Sequence, residues 1–233
     1  MPGLALSAYL EREDARETLI VRSGDPDRLR KDAVVGTGSL RRTSQLSAAR
    51  PDLTFKPLVG NVDTRMRKLM DGEYDAIVLA IAGLKRLGLL EGWESSDYSS
   101  LRVTPKSTRT LVPAAGQAVL VLETREEDVT SRAAVRPLHH EPTEQFALAE
   151  RTFLHSFGGG CSLPVGAFAE QIRENLVLFT WVSMPDGSLP IRASAWGPPS
   201  DAEKIGHEAA RLARESGHWE AFEAWLTQRA EVA

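Results

Sequence analysis

Residues 33–42 read Ala33-Val34-Val35-Gly36-Thr37-Gly38-Ser39-Leu40-Arg41-Arg42. The β-branched apolar residues are typical of a buried strand, and the glycine turn leads into a helix that Pro51 ends. The alternation continues with a strand at 53–58, a helix capped by Asn61, a strand at 75–80 and a short helix at 82–87. Strands alternating with helices predict a parallel α/β sheet covered on both faces.

The remainder of the chain predicts a second, smaller unit. A polar connector at 91–110 precedes a predicted buried strand at 118–123 and a short helix at 126–135. Pro142 suits the start of a helix. Strands follow at 163–169, 176–182 and 191–196, with Pro185-Asp186-Gly187 as a hairpin turn, and then helices at 202–214 and 219–229. This order is typical of a separate small α+β domain.

Composition excludes several classes of protein. The 233 residues are 42% hydrophobic and 26% charged, which is ordinary for a globular chain and wrong for a disordered one. A net charge of −4 argues against non-specific nucleic-acid binding. The longest apolar run, Ala76 to Leu84, is far shorter than the ~18 residues of a membrane span. Without a signal-peptide pattern at the start, we expect a cytoplasmic protein that contacts no membrane.

Metal and disulfide chemistry are not indicated. The single cysteine, Cys161, excludes an internal disulfide and a multi-thiolate metal site. His139 and His140 are sequence neighbours, so their side chains do not face one ligand point. We therefore predict a metal-free protein.

The glycine turn before Arg41 and Arg42 predicts an anion site. Such a turn points free backbone N–H groups at a ligand above the sheet edge. Two cations in the first helical turn oppose the helix dipole, a cost that a bound anion would remove. The alternative is that both arginines extend into solvent or pair with a nearby acid.

Two further strand ends deliver basic groups. Arg65 lies one turn into the helix that follows Gly60-Asn61, and Lys85 and Arg86 follow the strand at 75–80. Ligands of such sheets bind beyond the carboxyl ends of the strands. The pattern favours a small molecule with several carboxylates or phosphates, although Lys85 and Arg86 alone would also suit a helix C-terminus.

The sequence Gly158-Gly159-Gly160-Cys161-Ser162-Leu163-Pro164 places the thiol on a glycine-rich loop. A free cysteine is usually a small buried core residue. Glycines contribute nothing to packing, so this setting favours a reactive or modified thiol. No His–acid pair stands nearby, and a protease-like triad is not supported.

Four motifs in this order resemble the porphobilinogen deaminases, also called hydroxymethylbilane synthases. They are 34–42, 60–65, 74–86 and Gly159-Gly160-Cys161-Ser162-Leu163-Pro164-Val165. The resemblance implies an enzyme that joins four porphobilinogen units head to tail and releases ammonia. It implies a dipyrromethane cofactor covalently attached to Cys161 and held by Ser39, Arg41 and Arg42. It further implies that Arg65, Arg86 and Thr37 bind the substrate.

The same resemblance implies a three-domain architecture whose first two lobes are like type 2 periplasmic binding proteins. We expect residues 1–32 and 111–138 to be remnants of the first lobe. Residues 33–110 would form the complete second α/β lobe with its polar connector. Residues 139–233 would form the C-terminal α+β domain that carries the cysteine.

The chain departs from the family pattern in three places. The family's N-terminal Arg-x-Ser-x-Leu-Ala and His-Ser-x-Lys-Asp motifs are absent, so no catalytic residue is identified. Loss of ammonia leaves a pyrrole cation that a site lined only by arginine would repel. Val59 stands where the family has arginine, and Gly116-Gln117-Ala118-Val119 replaces a usual Gly-Gln-Gly-Ala.

Three hypotheses follow. The first is a porphobilinogen deaminase whose given sequence begins late or whose first part is a separate chain; it is otherwise a monomer. The second is a non-catalytic paralogue or fragment that binds an acidic pyrrole or another small polycarboxylate. The third is an unrelated effector-binding lobe, for which Cys161 on its glycine loop has no explanation.

Overall fold

The computed structural model describes residues 3–22, 24–91, 93–160 and 162–232. Its strands are β1 Leu4–Tyr9, β2 Glu17–Val21, β3 Val34–Gly36, β4 Thr54–Lys56, β5 Ala76–Ala80, β6 Arg102–Pro105, β7 Val121–Arg125, β8 Val165–Ile172, β9 Asn175–Val182 and β10 Ser194–Gly197. Its helices are α1 Leu40–Ala49, α2 Val62–Met70, α3 Ile81–Arg86, α4 Val129–Val135, α5 Glu141–His155, α6 Ala202–Arg214 and α7 Trp219–Val232.

A five-stranded sheet in the order β4-β3-β5-β2-β6 forms the first unit. Strand β3 is parallel to both its neighbours, whereas β2 is antiparallel to β5 and β6. The sheet is therefore mixed, and the expectation of a parallel sheet holds only for β3, β4 and β5. The predicted α/β class is confirmed.

Two corrections follow from the pairing of β2. The connector at 91–110 contains a strand, β6, which is partly exposed and pairs with β2 at the sheet edge. Residues 17–21 belong to the expected first-lobe remnant 1–32, but all five are buried and pair with β5 and β6 in the five-stranded sheet. Because β2 lies between two antiparallel neighbours, its place could not follow from local alternation of strands and helices.

The C-terminal domain has the predicted α+β arrangement. Its antiparallel sheet has the order β10-β9-β8, and α5 and α6 pack against it. Gly206 lets α6 approach α5 closely, since a Cβ there would lie 2.6 Å from the Ala149 carbonyl oxygen. Phe153, Phe157 and Phe222 meet in the core of this domain.

The predicted buried strand at 118–123 is wrong in position and environment. The strand is β7, it is partly exposed, and it pairs only with β1 in a two-stranded sheet. Ala118 instead has the left-handed φ of +70° in a turn that begins at Gly116. The turn interrupts the apolar run, which therefore does not form one strand.

Residues 111–118, which we call the crossover segment, run between the two units. The Ala167 amide of β8 donates to the Pro113 carbonyl at 2.9 Å. Trp181 of β9 makes a second contact between the units, because its indole N–H donates to the Ser44 hydroxyl of α1 at 3.3 Å. The C-terminal domain therefore packs against α1, the helix whose first turn contains Arg41 and Arg42.

Candidate functional site

The glycine turn sets the start of α1. Ser39 is the N-cap, and its hydroxyl accepts from the Arg42 amide at 3.4 Å. Thr37 is buried, and its hydroxyl accepts from the Ser39 amide at 3.2 Å. The turn is therefore held by its own side chains, and Thr37 supports the backbone of the site.

A buried carboxylate joins the two arginines. Glu17 on β2 is 0% exposed, and its oxygens lie 2.5 Å from Arg41 Nη2 and 2.8 Å from Arg42 Nη2. Burial alone would raise the pKa of the Glu17 carboxyl, but the charges of Arg42 and Arg41 outweigh it and hold that pKa below its ordinary value. Glu17 is thus ionised and anchors both guanidinium groups.

Sequence reasoning did not identify Glu17. The available signal is a charged residue at the start of the buried run Glu17-Thr18-Leu19-Ile20-Val21, since a buried carboxylate needs a partner. The cation that pairs with Glu17 is determined by the position of β2 beside β5. This is a tertiary contact, which local sequence does not show.

Arg42 and Arg65 retain uncompensated charge. The Arg42 Nη1 donates to the Val78 carbonyl at 3.1 Å, while its buried Nε has no hydrogen-bond partner among the described residues. Arg65 Nε donates to the Gly60 carbonyl at 2.7 Å. Burial, followed by the charge of Arg42, lowers the pKa of the Arg65 guanidinium. Because Arg42 and Arg65 both line the same cleft, their positive charges favour an anion there.

These residues line a cleft of about 560 Å³. Its polar lining residues are Ser39, Arg41, Arg42 and Arg65. Its apolar lining residues are Leu58, Val59, Ala114, Ala115, Leu154, Leu163 and Val165. Gly160, which precedes Cys161 in sequence, also lines the cleft; Cys161 itself lies outside the described residues.

The structure does not bring Arg86 to the lining of this cleft. Its Nη2 donates to the Ala118 carbonyl at 2.9 Å, and Lys85 pairs with Glu13 at 2.7 Å. Val59, by contrast, lines the cleft and is 66% exposed. Arg86 therefore ties α3 to the turn at the end of the crossover segment.

The cleft carries an excess of positive charge. Three guanidinium groups face it and one carboxylate, Glu17, neutralises part of their charge, which leaves a formal excess of two. None of the lining residues is acidic. Among the described residues, no group of three or more His, Cys, Asp or Glu side chains could hold a metal ion.

The described helices include none that is both long and apolar enough to cross a membrane. The fold and the cleft define an α/β protein whose cavity suits an organic anion, because guanidinium groups can pair with its acidic groups while apolar side chains line the same cavity.

Comparison with known proteins identifies the family. The model "Porphobilinogen deaminase, dipyromethane cofactor binding domain" matches residues 1–133, and "Porphobilinogen deaminase, C-terminal domain" matches 145–215. The porphobilinogen deaminase of Chromobacterium violaceum is 43% identical over 216 residues, which is 92% of this chain and 67% of the relative. That of Laribacter hongkongensis is 41% identical over 217 residues, with the same coverage. The chain belongs to the porphobilinogen deaminase family.

The chain spans about two thirds of the length of these relatives, at 67%, 67% and 65% for three of them. An arginine-specific periplasmic binding protein of Salmonella typhimurium is similar in shape at 10% identity, covering 62% of this chain and 59% of its own, with a TM-score of 0.36.

Proposed function

We propose that this chain provides the cofactor and substrate cleft of a hydroxymethylbilane synthase, a transferase that condenses four porphobilinogen units with release of ammonia. The single observation that carries the proposal is the cleft lined by Arg41, Arg42 and Arg65 beside the loop that leads to Cys161. Membership of the family supports it.

The charges of the cleft agree with this substrate. Porphobilinogen carries two carboxylates, and the formal excess of two positive charges provides a guanidinium partner for each of them. Arg42 and Arg65 would bind carboxylates through free N–H groups, and Ser39 would add a hydroxyl. Arg41 has two N–H groups engaged by Glu17 and Val112, so it would contact the ligand through the remainder.

The dipyrromethane cofactor, when bound through Cys161, supplies the primer to which the pyrrole units are added. Ser39, Arg41 and Arg42 would hold its carboxylates. The apolar side chains of Leu154 and Leu163 would cover its rings and exclude water. Substrate binding by Arg65 agrees with its place in the cleft, whereas Arg86 and Thr37 would act indirectly through backbone contacts.

Proton transfer needs a carboxylate that the lining residues do not supply. The pyrrole cation left by ammonia would be repelled by the arginines, and Glu17 is already committed to two of them. We therefore propose that residues 1–233 bind cofactor and substrate but turn over only when a carboxylate is added to the cleft. A separate N-terminal chain, a monomeric state and a cytoplasmic location remain predictions.

Intact-mass measurement of protein purified from haem-making cells tests the proposal. We expect the wild-type chain to carry dipyrromethane, with the modification mapped to Cys161. Arg41→Ala and Arg42→Ala should abolish loading, whereas the exposed Arg102→Ala should leave it unchanged. An unmodified thiol in the wild type, or normal loading of both variants, would overturn the assigned role. The non-catalytic alternative predicts anion binding with an unmodified thiol, and the family matches do not favour it.

A further inference from the structure

A buried glutamine makes a paired contact with one peptide of the crossover segment. Gln45 is 3% exposed; its Oε1 accepts from the Val112 amide at 2.7 Å and its Nε2 donates to the Val112 carbonyl at 2.9 Å. Both polar ends of the side chain are thus used by a single residue.

The same carbonyl also holds an arginine of the cleft. Arg41 Nη1 donates to the Val112 oxygen at 2.8 Å, and Arg41 lies one helical turn before Gln45. Residues four apart on a helix share a face, so α1 presents both side chains to one peptide. The Arg41 guanidinium therefore lies between two buried acceptors, the Glu17 carboxylate and the Val112 carbonyl.

The C-terminal domain closes the other side of this peptide. A Cβ added at Gly166 of β8 would lie 2.9 Å from the Val112 oxygen, and Ala167 donates to the next carbonyl, that of Pro113. The β8 backbone therefore lies close against the Val112 peptide, at a position that only glycine allows. On the side that faces α1, the Val112 peptide is hydrogen-bonded by two side chains, those of Gln45 and Arg41.

We infer that Gln45 is a positioning residue for the anion site: it fixes the Val112 peptide, whose carbonyl orients the Arg41 guanidinium at the cleft. The inference rests on the proposed function only in that Arg41 contacts a carboxylate of the ligand. An apolar side chain of the same length would leave the buried Val112 N–H without a partner and let the peptide turn. Arg41 would then lose one of its three hydrogen-bond acceptors and keep Glu17 and Gln117.

The test compares Gln45→Met with Gln171→Met, which removes an exposed glutamine bonded to the Arg173 carbonyl. Succinate serves as a dicarboxylate probe in calorimetric titration. We expect Gln45→Met to weaken binding by roughly 2- to 10-fold, the change expected for the net loss of one hydrogen bond. Gln171→Met should bind as the wild type does.

A second readout separates positioning from loss of structure. Phenylglyoxal modification, mapped by mass spectrometry, should become faster at Arg41 in Gln45→Met but stay slow at Arg12, which is buried elsewhere. Gln45→Glu keeps the acceptor for the Val112 N–H. It should therefore retain slow amide exchange at Val112 and an intermediate reactivity of Arg41, and it replaces the methionine variant if that one does not fold.

Unchanged succinate affinity together with unchanged Arg41 reactivity would overturn the inference. Equal acceleration at Arg12 and Arg41 would also overturn it, because that pattern indicates general loosening. If Cys161 never carries dipyrromethane but Arg41 reactivity responds to Gln45, the proposed function fails and the positioning role stands.

Discussion

Among the residues that the structure describes, two fully buried glutamates pair with arginine, and they differ in what surrounds the pair. Glu150 of α5 accepts from Arg12 Nη1 at 2.6 Å, from the Gly116 amide at 2.6 Å and from the Ala169 amide at 2.7 Å. These partners come from three segments, and the pair has no excess charge. Glu17, in contrast, faces two guanidinium groups beside a third, Arg65.

The difference separates a structural junction from a binding site. The Glu150 carboxylate accepts from one cation, Arg12, and from two backbone amides. One positive charge therefore balances its negative charge, and both of its oxygens have donors. At Glu17 the cations outnumber the carboxylate and the buried Arg42 Nε has no partner among the described residues. A protein interior tolerates such an imbalance where a ligand completes it.

The largest expected effect is on the junction. Glu150→Ala leaves Arg12 buried without a counter-ion and should lower the free energy of unfolding by about 3–5 kcal/mol. Denaturant unfolding measures this, with the exposed Glu174→Ala as control, expected to change stability by less than about 0.5 kcal/mol. A loss at Glu150 no greater than at Glu174 would show that the junction is not stabilising.

The next prediction concerns rescue by an anion. Glu17→Gln leaves two arginines unneutralised at an open cleft, so phosphate should stabilise this variant more than the wild type. At ten times the dissociation constant the gain is about 1.4 kcal/mol. Thermal unfolding with and without phosphate measures it. In Glu150→Gln the arginine left without a counter-ion is Arg12, which is enclosed, so phosphate should stabilise this variant no more than the wild type. Equal stabilisation of Glu17→Gln and Glu150→Gln would contradict the distinction between a binding site and a structural junction.

A pH series sharpens the role of Glu17. Because the pKa of Glu17 in the folded protein lies below its unfolded value, its ion pairs stabilise fully above the unfolded pKa of about 4.3. That contribution is lost as pH falls through the folded pKa. Denaturant unfolding from pH 6 downward should show a shallower acid loss in Glu17→Gln than in the wild type. Parallel curves would contradict the ion-pair account.

The smallest effect is expected at Ala118, in the turn beside the junction. Its left-handed φ of +70° costs an L-residue about 1–2 kcal/mol, against the roughly 0.5–1 kcal/mol of chain entropy that glycine loses on folding. Ala118→Gly should therefore stabilise the protein by about 0.5–1 kcal/mol in denaturant unfolding. Ala133→Gly, in the exposed part of α4, should instead destabilise it by about 1 kcal/mol. The same sign for both would rule out backbone strain as the cause.

The sequence predicted the features that depend on residues close together along the chain. The Ser39 cap, the turn into α1 and the helix start at Pro142 follow from residues a few positions apart. The convergence of Arg41, Arg42 and Arg65 followed from strand ends meeting at one sheet edge. The partners Glu17 and Val112 come from a strand and a crossover distant in sequence, so no local pattern could assign them. The position of Arg86 outside the cleft lining could not be predicted for the same reason, because its hydrogen-bond acceptor, the Ala118 carbonyl, is distant in sequence.

Equilibrium binding of porphobilinogen to chains made in cells that cannot synthesise it tests the central claim most directly. Arg42→Gln removes a charged donor from the cleft and should weaken binding about 10- to 100-fold. Arg12→Gln removes the arginine of the junction and should leave the dissociation constant within about twofold of wild type in folded protein. If Arg42→Gln binds as tightly as the wild type, or if both variants lose affinity equally, the cleft between α1, α2 and the Cys161 loop is not the carboxylate site.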